Sequence, residues 1–558
     1  MWYFASGDSG FYFQEQLKNI SWLPRIWNPE YGFGISTLLR MWFDYPYLLF
    51  IKLLSSIGLS WWQIDKLVWL LLFGMMIVSV IKLSHVLSFS KISSVVACII
   101  YCTNTYVLLL FGGGQIGVAL AYGLSPFVLG RFIESYIGNG RKISMYIQNG
   151  LWLSLLVAFD LRIAYLTVLA CILYTLIHNW RDIYKKIEGF IVPLGITVCI
   201  HAFWILPAAI FGGDRSINLS GEYTGPGMLK FLSFADFSHT LTLLHPNWPE
   251  NLFGKVYFLQ PEFLVIPFLA FVSLVCIRQT KNKKYILYFA LLSLIGAFFA
   301  KGVNPPGGGL FQWLFLYIPG FMMFRDPTKF YLFIALGFAT LIPYSLENLC
   351  GKVKKREWTF LIIFVLFWCF TIRSVFLGRV AGNFKPLELH ADYQKFKDVL
   401  IHDTTPSRSL WMPTIEKFAY SSLVHPELAA TDLFKNASLS GLMAVIDQPE
   451  FQADIHDAGV KYIIVPIDVE KRMFLSDYTY DDTKRNALIA SLKERGYLQD
   501  KTFTDLAVFI NPSYIFVASK PESVVKQEYW LQIGIGISIL AILFFGLLSI
   551  LYDRRKHE

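Results

Sequence analysis

About eleven long apolar runs, separated by short loops of which every second one is basic, constrain this chain more than any other feature. The runs are Leu67–Leu83, Ser93–Phe111, Ile116–Ile133, Ile143–Phe159, Ile163–Ile177, Phe190–Phe211, Phe263–Cys276, Ile286–Ala300, Phe330–Leu346, Phe360–Ile372 and Trp530–Tyr552. Several approach the ~20 residues a helix needs to cross a hydrocarbon core of about 30 Å. Inside lipid a backbone must satisfy its own hydrogen bonds, and a helix does so within one segment. The 558 residues are 55% hydrophobic and 16% charged. Soluble domains carry roughly 25% charged residues, and the deficit lies in these runs.

The net charge of +9 resolves into small clusters between spans rather than one basic face. They are Lys82 with Lys91, Arg131 with Arg141 and Lys142, Arg181 with Lys185 and Lys186, Arg278 with Lys281 to Lys284, Lys352 to Arg356, and Arg554 to Lys556. Cytoplasmic loops carry excess Lys and Arg, so these loops and the C-terminus are expected in the cytoplasm of a multi-pass cell-membrane protein. The opening residues, 212–261, 302–325 and 378–527 then lie outside. Nothing at the start reads as a basic signal-peptide region with a cleavage site; the first residues are expected to be the stub of a missing first helix. All seven cysteines lie in or beside apolar runs, with none in 378–527, a pattern ordinary for a bacterial or archaeal outside domain.

The expected architecture is a polytopic α-helical membrane protein with an extracytoplasmic mixed α/β domain. Residues 1–65 form an outside loop, with Tyr47–Leu59 as an interfacial or re-entrant helix. Residues 66–377 form the helical bundle, 378–527 the α/β domain, and 528–558 the last span and basic tail. In the domain, Lys461–Pro466 reads as a strand after a helix ending at Gly459, and Asn486–Arg495 as a helix closed by Gly496. Ala507–Asn511 and Tyr514–Ala518 read as paired strands. The scattered basic clusters argue against nucleic acid as a partner. Gly112–Gly114 and Gly307–Gly309 lack the strand-to-helix setting of a phosphate-binding loop, so ATP-driven chemistry is unsupported. No cofactor is called for, and no metal.

Asp8 sits in Gly7-Asp8-Ser9-Gly10, followed by Phe11, Tyr12 and Phe13. A carboxylate in a short aromatic loop at a membrane surface is what a lipid-linked glycosyltransferase needs as a base: it accepts the acceptor hydroxyl's proton as the bond to the sugar forms. The alternative is a turn former capping a helix that begins near Phe11. Glu15, Glu30 and Asp44 share the loop as secondary acids or acceptor-steering groups; Glu15, seven residues after Asp8, would share a helix face with it. Arg325 and Lys329 flank Pro327 before a late span and form a candidate site for the donor's phosphate; the alternative is interfacial anchoring with Asp326 as an N-cap. Asp160 and Arg162 lie at an outside hinge, as a functional pair or a structural ion pair. In 212–261, Asp236, His239, His245 and Glu250 are candidate sugar ligands whose spacing fits no metal template, and Trp248 suits stacking on a sugar or interfacial anchoring.

These residues, in this order, resemble the YfhO-type bacterial membrane proteins of the GT-C glycosyltransferase class. The resemblance rests on Gly7-Asp8 with its aromatic stretch, Trp27-Asn28-Pro29, Gly32-Phe33-Gly34, Gly113-Gly114-Gln115, Phe324-Arg325-Asp326-Pro327-Thr328-Lys329-Phe330 and Gly459–Val465. Gln115 stands where the family commonly has His. The resemblance implies inverting transfer of a sugar from a polyprenyl-phosphate donor, at the outer face among membrane lipids, to an envelope glycan, lipid or glycoprotein, with Asp8 as base. Gln115 at that position and Arg162, His245 and Trp248 from their own loops are candidate sugar-binding residues. The competing classes are a lipid or polysaccharide transporter or flippase, and a non-catalytic envelope assembly protein.

Overall fold

A computed structural model describes residues 1–137, 143–179, 187–211, 226–246, 259–275, 277–350, 354–434, 439–467, 482–517 and 520–554. The chain forms two compact units, Met1–Lys66 with Lys385–Leu531, and Leu67–Phe384 with Gln532–Glu558.

The first unit is built on a five-stranded sheet in the order Glu427–Ala429, Arg408–Trp411, Val460–Pro466, Leu506–Ile510, Leu498–Asp500. The first three strands are parallel and the last two add antiparallel. Val460–Pro466 is almost wholly buried and reads as a continuous apolar run, as a central strand covered on both faces should. Its core partners include Leu442, Ile446, Phe451, Leu488 and Leu492 from the flanking helices. The helix Asp482–Glu494 ends as its sequence requires, with Gly496 left-handed at φ +86°. The expected pairing of Ala507–Asn511 with Tyr514–Ala518 is replaced: Leu506–Ile510 pairs instead with Val460–Pro466 and Leu498–Asp500, because a buried apolar strand gains more from central neighbours than from a hairpin.

The opening residues are part of this unit rather than a free loop. Trp2–Tyr3 pairs antiparallel with Leu387–Glu388. Phe11 packs edge-to-face on Tyr3, Phe13 and Phe418 at 4.9 Å between ring centres. Tyr31 bridges the sheet's edge at Glu427, where the Gly32 N–H donates to Glu427 O at 2.6 Å and the Glu427 N–H donates to Glu30 O at 3.1 Å. Residues 30–34 thereby cover an edge that would otherwise invite another chain. Buried Arg408 clamps the join, donating to the carbonyls of Gly32, Ala458 and Val517. The apolar stretch after it is one helix, Met41–Ser56, starting earlier than expected.

The described residues of every expected apolar run are largely helical. Six described helices are long and apolar enough to cross a membrane, or up to eight if each of two bent pairs counts as one span; Ile143–Phe159 and Pro261–Val275 are shorter. Pro327–Leu349 is the most buried span and packs on Lys283–Ala300, Lys91–Thr103 and Val265–Val275. Small residues permit that approach: a Cβ on Gly337 would lie 1.8 Å from Ser293 Oγ, and one on Gly296 2.7 Å from Phe333 Cβ. The run 93–111 bends by 41° at Asn104. The Asn104 amide donates to the carbonyls of Ile100 and Tyr101, while its oxygen accepts from the N–H groups of Tyr106 and Val107. One side chain so ends one helix and caps the next, which is what a break at membrane depth requires.

Candidate functional site

Gly7 is left-handed at φ +61°, and the Ser9 N–H closes the turn on Ser6 O at 3.2 Å. The Lys417 ammonium donates to the carbonyls of both Gly7 and Ser9, straddling Asp8. The Asp8 carboxylate is exposed on this pinned turn. Burial lowers Lys417, and the adjacent Asp8 charge opposes that shift. Asp8 caps no helix, since the first helix is Gln14–Asn19 with Phe13 at its N-cap. Asp8 and Glu15 therefore share no helix face, and Glu15 pairs with Lys397 at 3.3 Å.

Beside this turn, residues 12–48 enclose a cleft of about 430 Å³ lined by Tyr12, Arg25, Trp27, Glu30, Tyr31, Arg40, Asp44 and Tyr45 among others. One wall is the hairpin Trp27–Asn28/Ile35–Ser36, the other the first turns of Met41–Ser56. Asp44 pairs with Arg40 at 3.1 Å, one helical turn away. Burial raises the carboxyls of Asp44 and Glu30, with Arg40 and Arg25 respectively opposing. Behind Glu30, burial pushes the Glu427 carboxyl up to about 8, with the Glu30 charge adding to it. Burial, then the Asp44 charge, pushes the Tyr12 phenol up to about 12. The site thus holds carboxyl groups shifted toward neutrality, a common property of functional clefts. Arg25, Arg40 and Glu427 escaped the reading of the sequence. The Arg40/Asp44 spacing of four on a helix was the legible signal; Glu427 arrives from nearly four hundred residues away and left none.

The second unit gathers another set of expected residues. Asp326 starts the turn Pro327–Phe330, accepting from the Thr328 N–H at 3.0 Å and the Thr328 hydroxyl at 2.6 Å. Lys329 is 2% exposed, its ammonium 2.5 Å from Asp326 Oδ2 and 3.4 Å from Gln115 Oε1. Burial works to raise the Asp326 carboxyl, and Lys329 with the Thr328 hydrogen bonds more than offsets it, holding Asp326 well below the usual carboxylate range. Asp160 is buried, caps Leu161–Asn179 through the N–H groups of Arg162 and Ile163, and pairs with Arg162 Nη2 at 2.6 Å. The Arg162 charge also interacts with Asp326. His245 lies against Tyr331 at 4.9 Å and Tyr106 at 5.8 Å, and its backbone N–H donates to Thr105 Oγ1 at 2.9 Å. Burial pushes its imidazole down to about 4, with Asp326 raising and Lys329 lowering it. The Tyr106 hydroxyl is buried with no hydrogen-bond partner among the described residues.

The structure therefore brings Gln115, Asp160, Arg162, His245, Asp326 and Lys329 into one charge-balanced network. Arg325 is half-buried beside it. Lys329 is spoken for by Asp326, so it and Arg325 do not form an open cationic pair. Asp236 caps His239 and pairs with its ring at 2.7 Å. Trp248 and Glu250 lie outside the described residues. Among the described residues no group of three or more His, Cys, Asp or Glu is placed to hold a metal ion.

Apolar crossing helices, charge-capped helix ends and an α/β unit define a multi-pass membrane protein. The fold is similar to that of part of arabinofuranosyltransferase AftD from Mycobacteria. Its cryo-EM structure matches with a TM-score of 0.61 at 14% identity, covering 90% of this chain and 38% of that one. A mutant of AftD matches at 0.57 and 14% identity, covering 83% and 35%. The chain thus spans well under half the length of the solved protein whose fold it shares. No family model and no curated protein matches it.

Proposed function

We propose that the protein is a GT-C type membrane glycosyltransferase that moves a sugar from a polyprenyl-phosphate donor to an envelope glycan, lipid or glycoprotein at the outer face of the membrane. The observation that carries this reading is the likeness to AftD over 90% of the chain. The pinned, exposed Asp8 supports it further. In the proposed step the Asp8 carboxylate takes the proton of the acceptor hydroxyl as its oxygen attacks the anomeric carbon. The anomeric C–O bond to phosphate breaks, and the polyprenyl phosphate leaves with the bonding electrons, inverting the centre. The reaction-level test is transfer of a labelled sugar from polyprenyl phosphate by purified protein in liposomes.

Donor phosphate binding falls to Arg325, with Lys329 joining only if Asp326 releases it. A charge-assisted contact contributes roughly 1.5–3 kcal/mol. Arg325→Ala is therefore expected to raise the KM for donor about tenfold or more with folding intact, and Arg325→Lys to recover little, because an ammonium cannot bind in the two-pronged way. An unchanged donor KM would reduce Arg325 to an interfacial anchor.

The proposed orientation places the unit containing 385–531 outside, the basic loops and C-terminus in the cytoplasm, and eleven crossings between. In a background lacking the native cysteines, Lys501→Cys is expected to react with an impermeant thiol reagent in intact cells, and Lys281→Cys only after lysis. The reverse pattern would remove the outer-face active site.

A further inference from the structure

We propose that the cleft enclosed by residues 12–48 is the binding site for the acceptor, and that the acceptor segment it takes is a neutral glycan chain; this rests on the transferase reading above. The cleft's volume of about 430 Å³ falls within the roughly 300–1,000 Å³ usual for small-molecule sites.

Its charge chemistry excludes an anionic headgroup as the natural occupant. Each cation in it faces an acid: Arg40 pairs with Asp44 at 3.1 Å, and Arg25 acts on Glu30. A phosphate entering here would meet the Arg40 guanidinium already paired with Asp44 and, beside exposed Arg25, the two carboxylates of Glu30 and Asp44, which repel it. A neutral polyol meets the opposite situation. Paired carboxylates and guanidinium groups offer planar acceptors and donors to adjacent hydroxyls without demanding charge from the ligand. The rings of Tyr12, Trp27 and Tyr45 supply the apolar surface that the C–H faces of a sugar need, each with a polar atom at its edge.

The cleft is also pre-formed. The Thr37 N–H donates to Ile26 O at 2.7 Å, the Glu30 N–H to Asn28 Oδ1 at 3.0 Å, and the Tyr45 hydroxyl to Trp22 O at 3.0 Å. Gly34, left-handed at φ +96°, lets the Trp27 ring lie against the backbone, since a Cβ there would sit 2.1 Å from it. A ligand therefore binds without first ordering the loop. Finally, Tyr12 lines the cleft four residues after Asp8. Fully extended chain spans at most ~3.6 Å per residue, so the two Cα atoms are within about 14 Å. A glycan in the cleft lies within a few sugar units of the proposed base.

The test is binding of linear, uncharged pentofuranose and hexopyranose tetrasaccharides to the purified full chain in detergent, without donor, by calorimetry or ligand-observed NMR. At least one series is expected to bind, with inorganic phosphate failing to compete. Trp27→Ala and Asp44→Asn should each weaken binding about tenfold. Because Trp27→Ala could loosen the hairpin, Arg25→Gln, at an exposed position, serves as the second variant and should weaken binding at least threefold with an unchanged melting curve. Binding that ignores all cleft variants, or no binding by either series, overturns the assignment. If sugar transfer proceeds with an acceptor KM unchanged by the cleft variants, the assignment fails while the transferase reading stands. If glycan binds through the cleft but no sugar moves from polyprenyl phosphate, the transferase reading fails and glycan recognition stands.

Discussion

Asp8→Asn is expected to lower kcat by about 10²–10⁴-fold while leaving the KM for donor near its wild-type value. General-base contributions have that size, and loss of a group that acts only in the transition state lowers kcat rather than ground-state binding. The substitution keeps the shape and hydrogen bonding of the side chain and removes only its capacity to take a proton. The turn should survive it, because the contacts that hold the turn avoid the carboxylate: Lys417 grips the carbonyls of Gly7 and Ser9, and Phe11 is locked among Tyr3, Phe13 and Phe418. Glu15→Gln should do far less, since Glu15 is engaged with Lys397. Asp44→Asn is expected to raise the acceptor KM, not to abolish turnover. The measurement is transfer of labelled sugar in liposomes, with melting curves confirming that each variant is folded. Activity of Asp8→Asn within about threefold of wild type would remove Asp8 from the mechanism and promote Asp44 or Asp160.

The second large effect is on stability. Lys329→Met should destabilise the helical unit by about 3–5 kcal/mol, the usual consequence of removing one partner from a buried pair. The Lys329 ammonium is 2% exposed and sits 2.5 Å from Asp326 Oδ2; without it the Asp326 charge loses that ion pair, while the Arg162 charge still acts on it. The double change Asp326→Leu with Lys329→Met should cost much less than the single one, since no charge is then stranded. A pH signature accompanies this. Burial alone would raise the Asp326 carboxyl, but Lys329 and Thr328 hold it below its ordinary value. A depressed folded-state carboxyl contributes stability that is fully present above the ordinary value near 3.9 and is lost as pH falls through the lower folded value. Wild type should therefore lose this contribution only in strong acid. Melting temperatures of wild type and both variants across pH check the claim; equal losses in the single and double variants would show that the pair is not what holds these helix ends.

The same pair shows how far residue spacing carries a reading of function. Arg325 and Lys329 are four apart before an apolar run, and that pattern fits an open phosphate site and a buried anchor equally well. The difference lies in Asp326, which turns back on Lys329, and in Gln115, which comes from another helix end to meet it. Asp160 and Arg162 behaved similarly: their position at a hinge was legible, and their role as a helix cap joined to the Asp326 network was not.

What the sequence determined by itself is the set of helices in the membrane-spanning unit and several of their ends. A helix in lipid closes its hydrogen bonds locally, so hydropathy suffices to specify it, while the break at Asn104 and the cap at Asp160 came only with the structure. The strand Val460–Pro466 and the helix ending at Gly496 were legible for the same reason, as local patterns with local consequences. Only the tertiary structure decided that the opening residues belong to the α/β unit, because that union is made by contacts between positions some four hundred residues apart: Tyr31 on Glu427, Lys417 on Gly7 and Ser9, Glu15 with Lys397. It likewise decided which charges stay open and which are spent on one another. Burial sets that outcome, and burial is a property of the packed chain, not of any segment of it.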